Sequence, residues 1–241
     1  MPRPLRITLI VLAVLFVILL IVDRVSVRVA QSMVADRIQS ELRLARKPSV
    51  VAHGYPFLTQ ALGGRYSDVE VTAEGVETQS IRDFGVVAHL QGLHAPISDL
   101  AGGDIQRVPV DRVVGSVTVP YAEVARVSRV SNARITREGD ALRVRGQVTF
   151  AGQRVNASGL ARVEARDGSL VVTVTEGAVE GVQVPPAALG LIMRGLSFMV
   201  PVTSLPFGLS ITGVEIRDDA LVVSAEARDV VLTRLGFSST R

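Results

Sequence analysis

Three histidines and a scatter of carboxylates are the side chains of this 241-residue chain that could support metal or acid–base chemistry. His89 and His94 lie an odd number of residues apart in a segment with strand-like alternation. Because neighbouring residues of a strand point to opposite faces, we expect the two imidazoles to face apart, which argues against a local metal pair. Asp68 and Glu70 lie near a predicted hairpin edge, where a carboxylate is usually solvated. The sequence therefore predicts no metal site.

The sequence motifs of common catalytic centres are also missing. The chain has no cysteine, which excludes a disulfide framework, a thiolate metal site and a cysteine nucleophile. It contains no glycine-rich phosphate loop and no Gly-x-Ser-x-Gly elbow. We therefore predict a protein that is not an enzyme and needs no cofactor. A hydrolase or transferase acting on a lipid-linked sugar stays open, since acid and base groups can converge in space without a local motif.

Composition favours an aliphatic, strand-rich protein. Apolar residues make up 48% of the chain, aromatic residues only 4%, and tryptophan is absent. Such a mixture is typical of strands packed on an aliphatic core. The formal net charge is +3, but the basic residues are dispersed and form no run, so nucleic acid is not an expected partner. The charge instead indicates mild attraction to an anionic membrane surface.

An uncharged apolar run covers residues 7–22, preceded by Arg3 and Arg6 and followed by charged residues. As a helix it would be about 24 Å long, between the core of a signal peptide and a short membrane span. The best cleavage pattern lies too far downstream for a typical site, so we favour an uncleaved membrane anchor over residues 1–23. In both cases we expect the rest of the chain on the extracytoplasmic, periplasmic side of the cell membrane.

Residues 24–48 continue with a helical period. Apolar side chains recur every three or four residues, which predicts an amphipathic helix that ends at Lys47 and Pro48. Its apolar stripe must pack against another element, and a sheet that curves around the helix is the simplest partner. The stripe consists of Val27, Ala30, Val34, Ile38, Leu42 and Ala45.

Residues 49–241 are dominated by alternating apolar and polar positions, typical of strands with one buried face. An Asp-Gly pair at 167–168 predicts a hairpin within a meander of three antiparallel strands, and an Asp-Asp pair at 218–219 predicts another hairpin. Gly213 interrupts the alternation of one strand and predicts a bulge. The predicted fold class is therefore α+β, mostly antiparallel, with one β-rich domain after the helix.

Two short helices are predicted among the strands. One begins beside Pro120, because proline suits the first turn of a helix. The other lies in the apolar segment 186–200, which carries a single charge, Arg194, and is too short to cross a bilayer. A helix that is apolar on nearly every side either closes the core or forms a wall of a lipid site. Its large apolar side chains include Leu189, Ile192, Met193, Leu196, Phe198 and Met199.

The stretch HGYPFLTQALGGRYSDVEV, residues 53–71, concentrates aromatic residues beside a proline and a glycine pair. Pro56 restrains the backbone between Tyr55 and Phe57. A similar Pro-Phe-Gly sequence places Phe207 shortly before a strand. These aromatic groups either plug the ends of a curved sheet or form the rim of a hydrophobic mouth.

Three stretches in order resemble the LmeA-like phospholipid-binding proteins of actinobacterial envelopes. They are GYPFLTQALGGRYSDVEVTAEGV, VDRVVGSVTVPYAEVAR and LPFGLSITGVEIRDDALVVSAEARDVVL, together with the apolar segment at the start of the chain. The resemblance implies a membrane-tethered or exported domain in which a curved antiparallel sheet wraps a long helix and leaves an apolar groove, similar to tubular lipid-binding folds. It also implies affinity for phospholipid, and it brings no catalytic motif.

We therefore predict an envelope protein that holds, presents or transfers a phospholipid or a lipid-linked glycan intermediate in support of lipoglycan or envelope assembly. The alternative is a non-catalytic, membrane-anchored scaffold for an envelope glycosyltransferase. Each acyl CH2 moved into an apolar groove contributes about 0.8 kcal/mol, so affinity needs no particular polar residue. The headgroup candidates are Arg65, Tyr66 and Arg194. The predicted lipid-contacting residues are Tyr55, Phe57, Leu58, Leu189, Ile192, Met193, Leu196, Phe198, Met199 and Phe207.

Overall fold

The computed structural model of the chain describes residues 3–77, 82–96, 107–127, 130–150, 153–166, 169–179, 189, 193, 198–200, 209–233 and 238–239.

The N-terminal helix α1, Arg3–Leu42, is continuous and long. An 18-residue window of it has a mean hydropathy of 3.2 and no buried residue, so by length and composition it could cross a membrane. The helix ends before the predicted Lys47. Arg43 adopts a left-handed backbone and the Leu44 N–H donates to the Gln39 carbonyl at 3.0 Å, which together close the last turn.

Two short helices follow. Helix α2 is Phe57–Gly63. Helix α3 is Tyr121–Val127 and confirms the helix predicted beside Pro120, which is the last residue of the preceding strand.

The strands form two antiparallel sheets. Among the described residues, the first sheet has seven strands in the order β1-β2-β3-β4-β11-β10, with β12 also paired to β11, and the second has five in the order β5-β6-β7-β8-β9. The α+β class with mostly antiparallel strands is thus confirmed. The strands are β1 Ser49–His53, β2 Arg65–Val76, β3 Phe84–His94, β4 Arg107–Pro120, β5 Ser131–Glu138, β6 Ala141–Phe150, β7 Gln153–Arg166, β8 Ser169–Val179, β9 Phe198–Val200, β10 Ser210–Ile216, β11 Ala220–Thr233 and β12 Ser238–Ser239.

Most local sequence signals predicted the pairing correctly. The three-stranded meander is confirmed as β6, β7 and β8, and the last predicted hairpin is confirmed as β10 and β11. The register of that hairpin shifts between Ile211 and Gly213, which confirms the bulge. The helix predicted over residues 186–200 is wrong at its C-terminal end, because Phe198–Val200 pair with β8 as strand β9. Backbone pairing at a sheet edge outweighs the helical spacing of the apolar side chains there.

Two apolar clusters hold these elements together. The first lies between α1, α2 and the first sheet, and its members include Val27, Phe57 and Val230. The second joins the two sheets through Tyr121, Leu142 and Leu221. The Tyr121 hydroxyl also donates a hydrogen bond to the Arg217 carbonyl, which ties α3 to the end of β10.

A line of irregular backbone, which we call the crease, crosses the first sheet. Its residues are skipped in the strand pairing while the residues on both sides of them are paired. Two of them have a left-handed backbone, with φ of 64° at Gly92 and 51° at Asp229. Residues three apart across the crease, rather than two, therefore face the first cluster: Tyr66 and Val69, Leu90 and Leu93, Val110 and Val113, Ala227 and Val230. The crease consists of Ser67, Gly92, Asp111 and Asp229.

The crease also overturns the expectation that His89 and His94 face apart. Leu90 and Leu93 both pack on the first cluster, so the histidines beside them both lie on the outer face of the sheet. Gly92 between them has a left-handed backbone, which shifts the alternation of the strand by one residue. Two residues five apart therefore face the same side.

We expect Gly92→Ala to destabilise the protein more than Gly139→Ala. Both glycines have a left-handed backbone, with φ of 64° and 61°, which costs a non-glycine residue about 1–2 kcal/mol. A methyl group at Gly92 would also lie 2.9 Å from Asp111 Cβ, whereas one at Gly139 would meet nothing within 4 Å. Urea unfolding of both variants in detergent, followed by circular dichroism, measures the difference. Equal losses in the free energy of unfolding would show that contact with Asp111 does not limit the side chain at position 92.

Candidate lipid-binding surface

The first sheet carries an apolar strip, which we call the trough, on the face shared by the two clusters. It consists of two rows of side chains from β2, β3, β4, β11 and β10, and every member is half-buried. Four strand spacings of about 4.8 Å make each row about 19 Å long. The rows are Val71, Ala88, Gly115, Ala225 and Ile211, then Ala73, Val86, Val117, Val223 and Val214.

Small residues lower the floor of the trough at its centre. Ala88, Gly115 and Ala225 are paired neighbours on three adjacent strands. On one side the trough borders a row of larger side chains that includes Leu90, which packs against the first cluster. On the other side it borders Leu221 of the second cluster. An apolar floor of small side chains between larger ones is a surface on which an extended hydrocarbon chain can lie.

The segment around Pro56 divides between the core and the surface. Phe57 is buried in the first cluster, with 4% of its surface exposed. Tyr55 is exposed, and the Arg24 guanidinium lies 5.1 Å from the centre of its ring. The half-buried Leu58 donates its backbone N–H to Asp23 Oδ1 at 2.8 Å. The structure therefore brings this segment to α1, and of the three predicted lipid-contacting residues in it only Tyr55 is exposed.

Two of the predicted headgroup residues lie in different environments, one buried and one exposed. Tyr66 is 3% exposed and packs near Phe57, with ring centroids 6.0 Å apart. Its hydroxyl is buried without a hydrogen-bond partner among the described residues, and burial raises the pKa of Tyr66. Arg65 is exposed and pairs with Asp111 Oδ2 at 3.2 Å, next to the crease. The third candidate, Arg194, lies outside the described residues.

The predicted apolar segment near residue 190 is described at only a few positions. Leu189 and Met193 have helical backbone and are half-buried. They pack against β8 where Gly177 leaves room, because a methyl group there would lie 3.4 Å from Met193 Cγ and 3.8 Å from Leu189 Cδ1. Phe198 and Met199 lie in β9. Ile192, Leu196 and Phe207 lie outside the described residues.

Pairs of histidine and carboxylate occupy the outer face of the first sheet. His53 Nε2 lies 3.0 Å from Glu70 Oε2, and His89 Nδ1 lies 3.2 Å from Asp68 Oδ2. The two rings stack with centroids 6.5 Å apart. The hydrogen bond with His53 lowers the pKa of Glu70. In the part of the chain that the structure describes, no three such side chains are arranged to hold a metal ion, and these partly exposed pairs link β1, β2 and β3.

An open depression between α3 and β5 has no residue in common with the trough. It is lined by Ala122, Ala125, Arg126 and residues 130–133. The Arg126 guanidinium donates to Glu123 at 2.6 Å. Because this wall carries a paired charge, the depression is a poor match for hydrocarbon.

No local pattern in the sequence indicates the trough residues. Val, Ala and Gly at alternate strand positions are typical of any buried strand face. Only the register, which places Ala88, Gly115 and Ala225 side by side, shows that the small residues form one row.

A comparison with protein-family models bears on this surface. The model of the LmeA-like phospholipid-binding family matches residues 21–226. The chain belongs to the LmeA-like phospholipid-binding family. The match contains all of the trough residues, and membership in the LmeA-like family supports phospholipid binding and a binding role rather than a catalytic one. No curated protein matches the chain significantly.

We expect Tyr66→Phe to leave the protein as stable or to stabilise it. Burying a hydroxyl without a hydrogen bond costs about 1–3 kcal/mol, and this substitution removes the hydroxyl while keeping the ring. Thermal unfolding of the variant in detergent checks the direction. If the hydroxyl instead contacts a lipid headgroup, Tyr66→Phe lowers the amount of phospholipid that copurifies. A clear loss of stability with unchanged lipid content would contradict both the unpaired hydroxyl and the contact with a lipid headgroup.

Proposed function

We propose that this protein binds a phospholipid through the trough, with one acyl chain lying across β2, β3, β4, β11 and β10, and that it holds, presents or transfers that lipid in the cell envelope. The observation that carries the proposal is the double row of half-buried apolar side chains between the two clusters. The family membership names the class of ligand.

The magnitudes support binding without a polar recognition motif. About ten CH2 groups moved from water onto an apolar surface contribute roughly 8 kcal/mol before the costs of ordering the chain. The trough positions carry only Val, Ala, Gly and Ile, and none of these side chains ionises. This favours a carrier over a hydrolase, which would need acid and base groups beside the reacting bond. We retain the half-buried Leu189 and Met193 as further contacts of the lipid.

The proposed location is the extracytoplasmic face of the cell membrane, with α1 as the anchor. The exposed apolar half of α1 supports an anchor, because a soluble protein would bury such a surface. Arg3, Arg6 and the amino terminus favour a cytoplasmic position for the start of the helix, a bias that Arg24 and Arg28 at the other end of the run reduce. A domain tethered in this way remains within reach of the lipids that it takes up.

We further propose that the bound lipid is a phospholipid or a lipid-linked glycan intermediate of lipoglycan or envelope assembly, presented to a glycosyltransferase. The support for the glycan version is the open character of the half-buried trough, which would leave a large headgroup in solvent while the acyl chain is held.

We expect Ala225→Asp to abolish phospholipid binding and Ser224→Asp to preserve it. Ala225 lies at the centre of the trough, whereas its neighbour Ser224 lies on the other face of the same strand, paired with Ser116. A carboxylate in the trough would have to be desolvated by the acyl chain, which is strongly unfavourable. Native mass spectrometry of full-length protein, extracted with a mild detergent, measures the bound lipid.

Two outcomes decide the role of the trough. Wild-type protein and Ser224→Asp carrying phospholipid, with Ala225→Asp folded and empty, would support it. Equal lipid content in both folded variants would place the ligand elsewhere on the protein. Circular dichroism establishes that each variant is folded.

The alternative function is a scaffold for an envelope glycosyltransferase. Strands β1 and β10 lie at the two ends of the main order of the first sheet, and an edge strand can pair with a strand of another protein. For a scaffold, we expect a glycosyltransferase to copurify in a fixed ratio and to stay bound after complete removal of lipid. A complex that dissociates on delipidation would favour lipid presentation instead.

A further inference from the structure

The start of α2 is fixed to α1 at the point where the apolar run of that helix ends. Asp23 is the first charged residue after the run, is 2% exposed, and accepts the Leu58 N–H through Oδ1 at 2.8 Å. One residue further along α1, the Arg24 guanidinium lies over the ring of Tyr55. If α1 crosses a bilayer with its apolar run, both contacts lie at the level of the membrane surface.

The exposed side chains at this level suit the boundary between lipid and water. Leu62 on α2 is 84% exposed and Tyr55 is 54% exposed. On α1, Val25 and Val29 beyond Asp23 are each 53% exposed. Exposed leucine and valine are unfavourable in water, whereas tyrosine is enriched at membrane interfaces because its ring is apolar and its hydroxyl polar.

The charges at this level have the sign that an anionic membrane attracts. Arg24 and Arg28 follow the apolar run and are exposed. Each basic side chain near an anionic bilayer surface contributes about 1 kcal/mol of attraction. Helix α2 has seven residues, and Leu62 follows Leu58 by one helical turn, so it lies within about 6 Å of the level of Leu58.

We propose that Tyr55 and helix α2 form a membrane-seated foot, which lies in the headgroup layer of the bilayer that α1 crosses, with Leu62 inserted among the lipids. The inference rests on the anchoring role of α1 in the proposed function. The foot would hold the domain in one orientation on the membrane, because α1 alone leaves the domain free to swivel about the helix axis. Its partner is the phospholipid bilayer surface itself.

The absence of cysteine allows a direct test of depth. Full-length protein carrying a single cysteine as Leu62→Cys, Asp140→Cys or Leu12→Cys is labelled with an environment-sensitive fluorophore. It is then reconstituted into vesicles of phosphatidylcholine and phosphatidylglycerol that contain lipids brominated near the headgroup, and in a second sample into vesicles with lipids brominated in the middle of the acyl chains, which report the label at position 12. Leu12 lies in the apolar run, and Asp140 lies in the turn between β5 and β6 of the second sheet. Leu62 and Asp140 are both exposed, so neither substitution should disturb folding.

The seated foot predicts that brominated lipid quenches the label at position 62 several-fold more than the label at position 140. Quenching at position 62 as weak as at position 140, with the label at position 12 still quenched, would overturn the inference. Native mass spectrometry of the same samples separates this result from the proposed function. If the protein carries phospholipid while the label at position 62 is not quenched, the foot is absent and the lipid site is retained. If the protein carries no phospholipid while the label at position 62 is quenched, the foot is present and the carrier role is not.

Discussion

The crease across the first sheet is the constraint on which the rest of the structure depends. A regular strand would turn every second residue toward α1, so Tyr66 and Val69, or Val110 and Val113, would lie on opposite faces. Gly92 in β3 and Asp229 in β11 both have a left-handed backbone, and both lie level with Asp111 in β4. The alternation of inward and outward side chains therefore shifts at the same height in these strands. As a result, one face stays apolar from the helix-packed end to the contact with the second sheet, and the trough lies on that face. Asp is one of the few residues besides Gly that adopt this backbone without a large cost.

A surface that binds by burying hydrocarbon leaves little trace in a sequence. The affinity comes from the number of CH2 groups removed from water, and any row of aliphatic side chains provides it. What distinguishes the trough from an ordinary core face is the lack of a complete cover at its centre, together with the small side chains of Ala88, Gly115 and Ala225 there. Both properties arise from the pairing of distant strands. This explains why the family resemblance, rather than any local motif, indicated the ligand.

Features that depend on neighbouring residues are predictable from the sequence. The hairpin of β10 and β11, the bulge before Gly213 and the helix after Pro120 each follow from turn chemistry or a change of alternation within a few positions. Features that depend on the pairing of distant strands are not predictable in this way. The odd spacing of His89 and His94 predicted opposite faces, because nothing local shows that Gly92 lies in a crease. The segment ending at Phe198–Val200 has helical spacing, yet pairing with β8 makes it a strand. For Phe57, the sequence allowed two alternatives, a plug at the end of a curved sheet or part of the rim of a hydrophobic mouth. In the structure Phe57 is buried in the first cluster and belongs to the core.

Asp23 connects the apolar run of α1 to the domain that carries the trough. A buried carboxylate is costly unless it is hydrogen-bonded, and here one oxygen accepts the Leu58 N–H while Oδ2 has no partner among the described residues. Because Asp23 lies on α1 and Leu58 on α2, the bond fixes the distance between the apolar run of α1 and the first cluster, in which Phe57 and Ala61 are packed. The same cluster forms one end of the face that carries the trough. A continuous sequence of contacts therefore runs from the end of the apolar run of α1, through α2, to the first sheet. In the proposed function, a lipid entering the trough from the membrane would meet a surface that these contacts hold at a defined height and orientation.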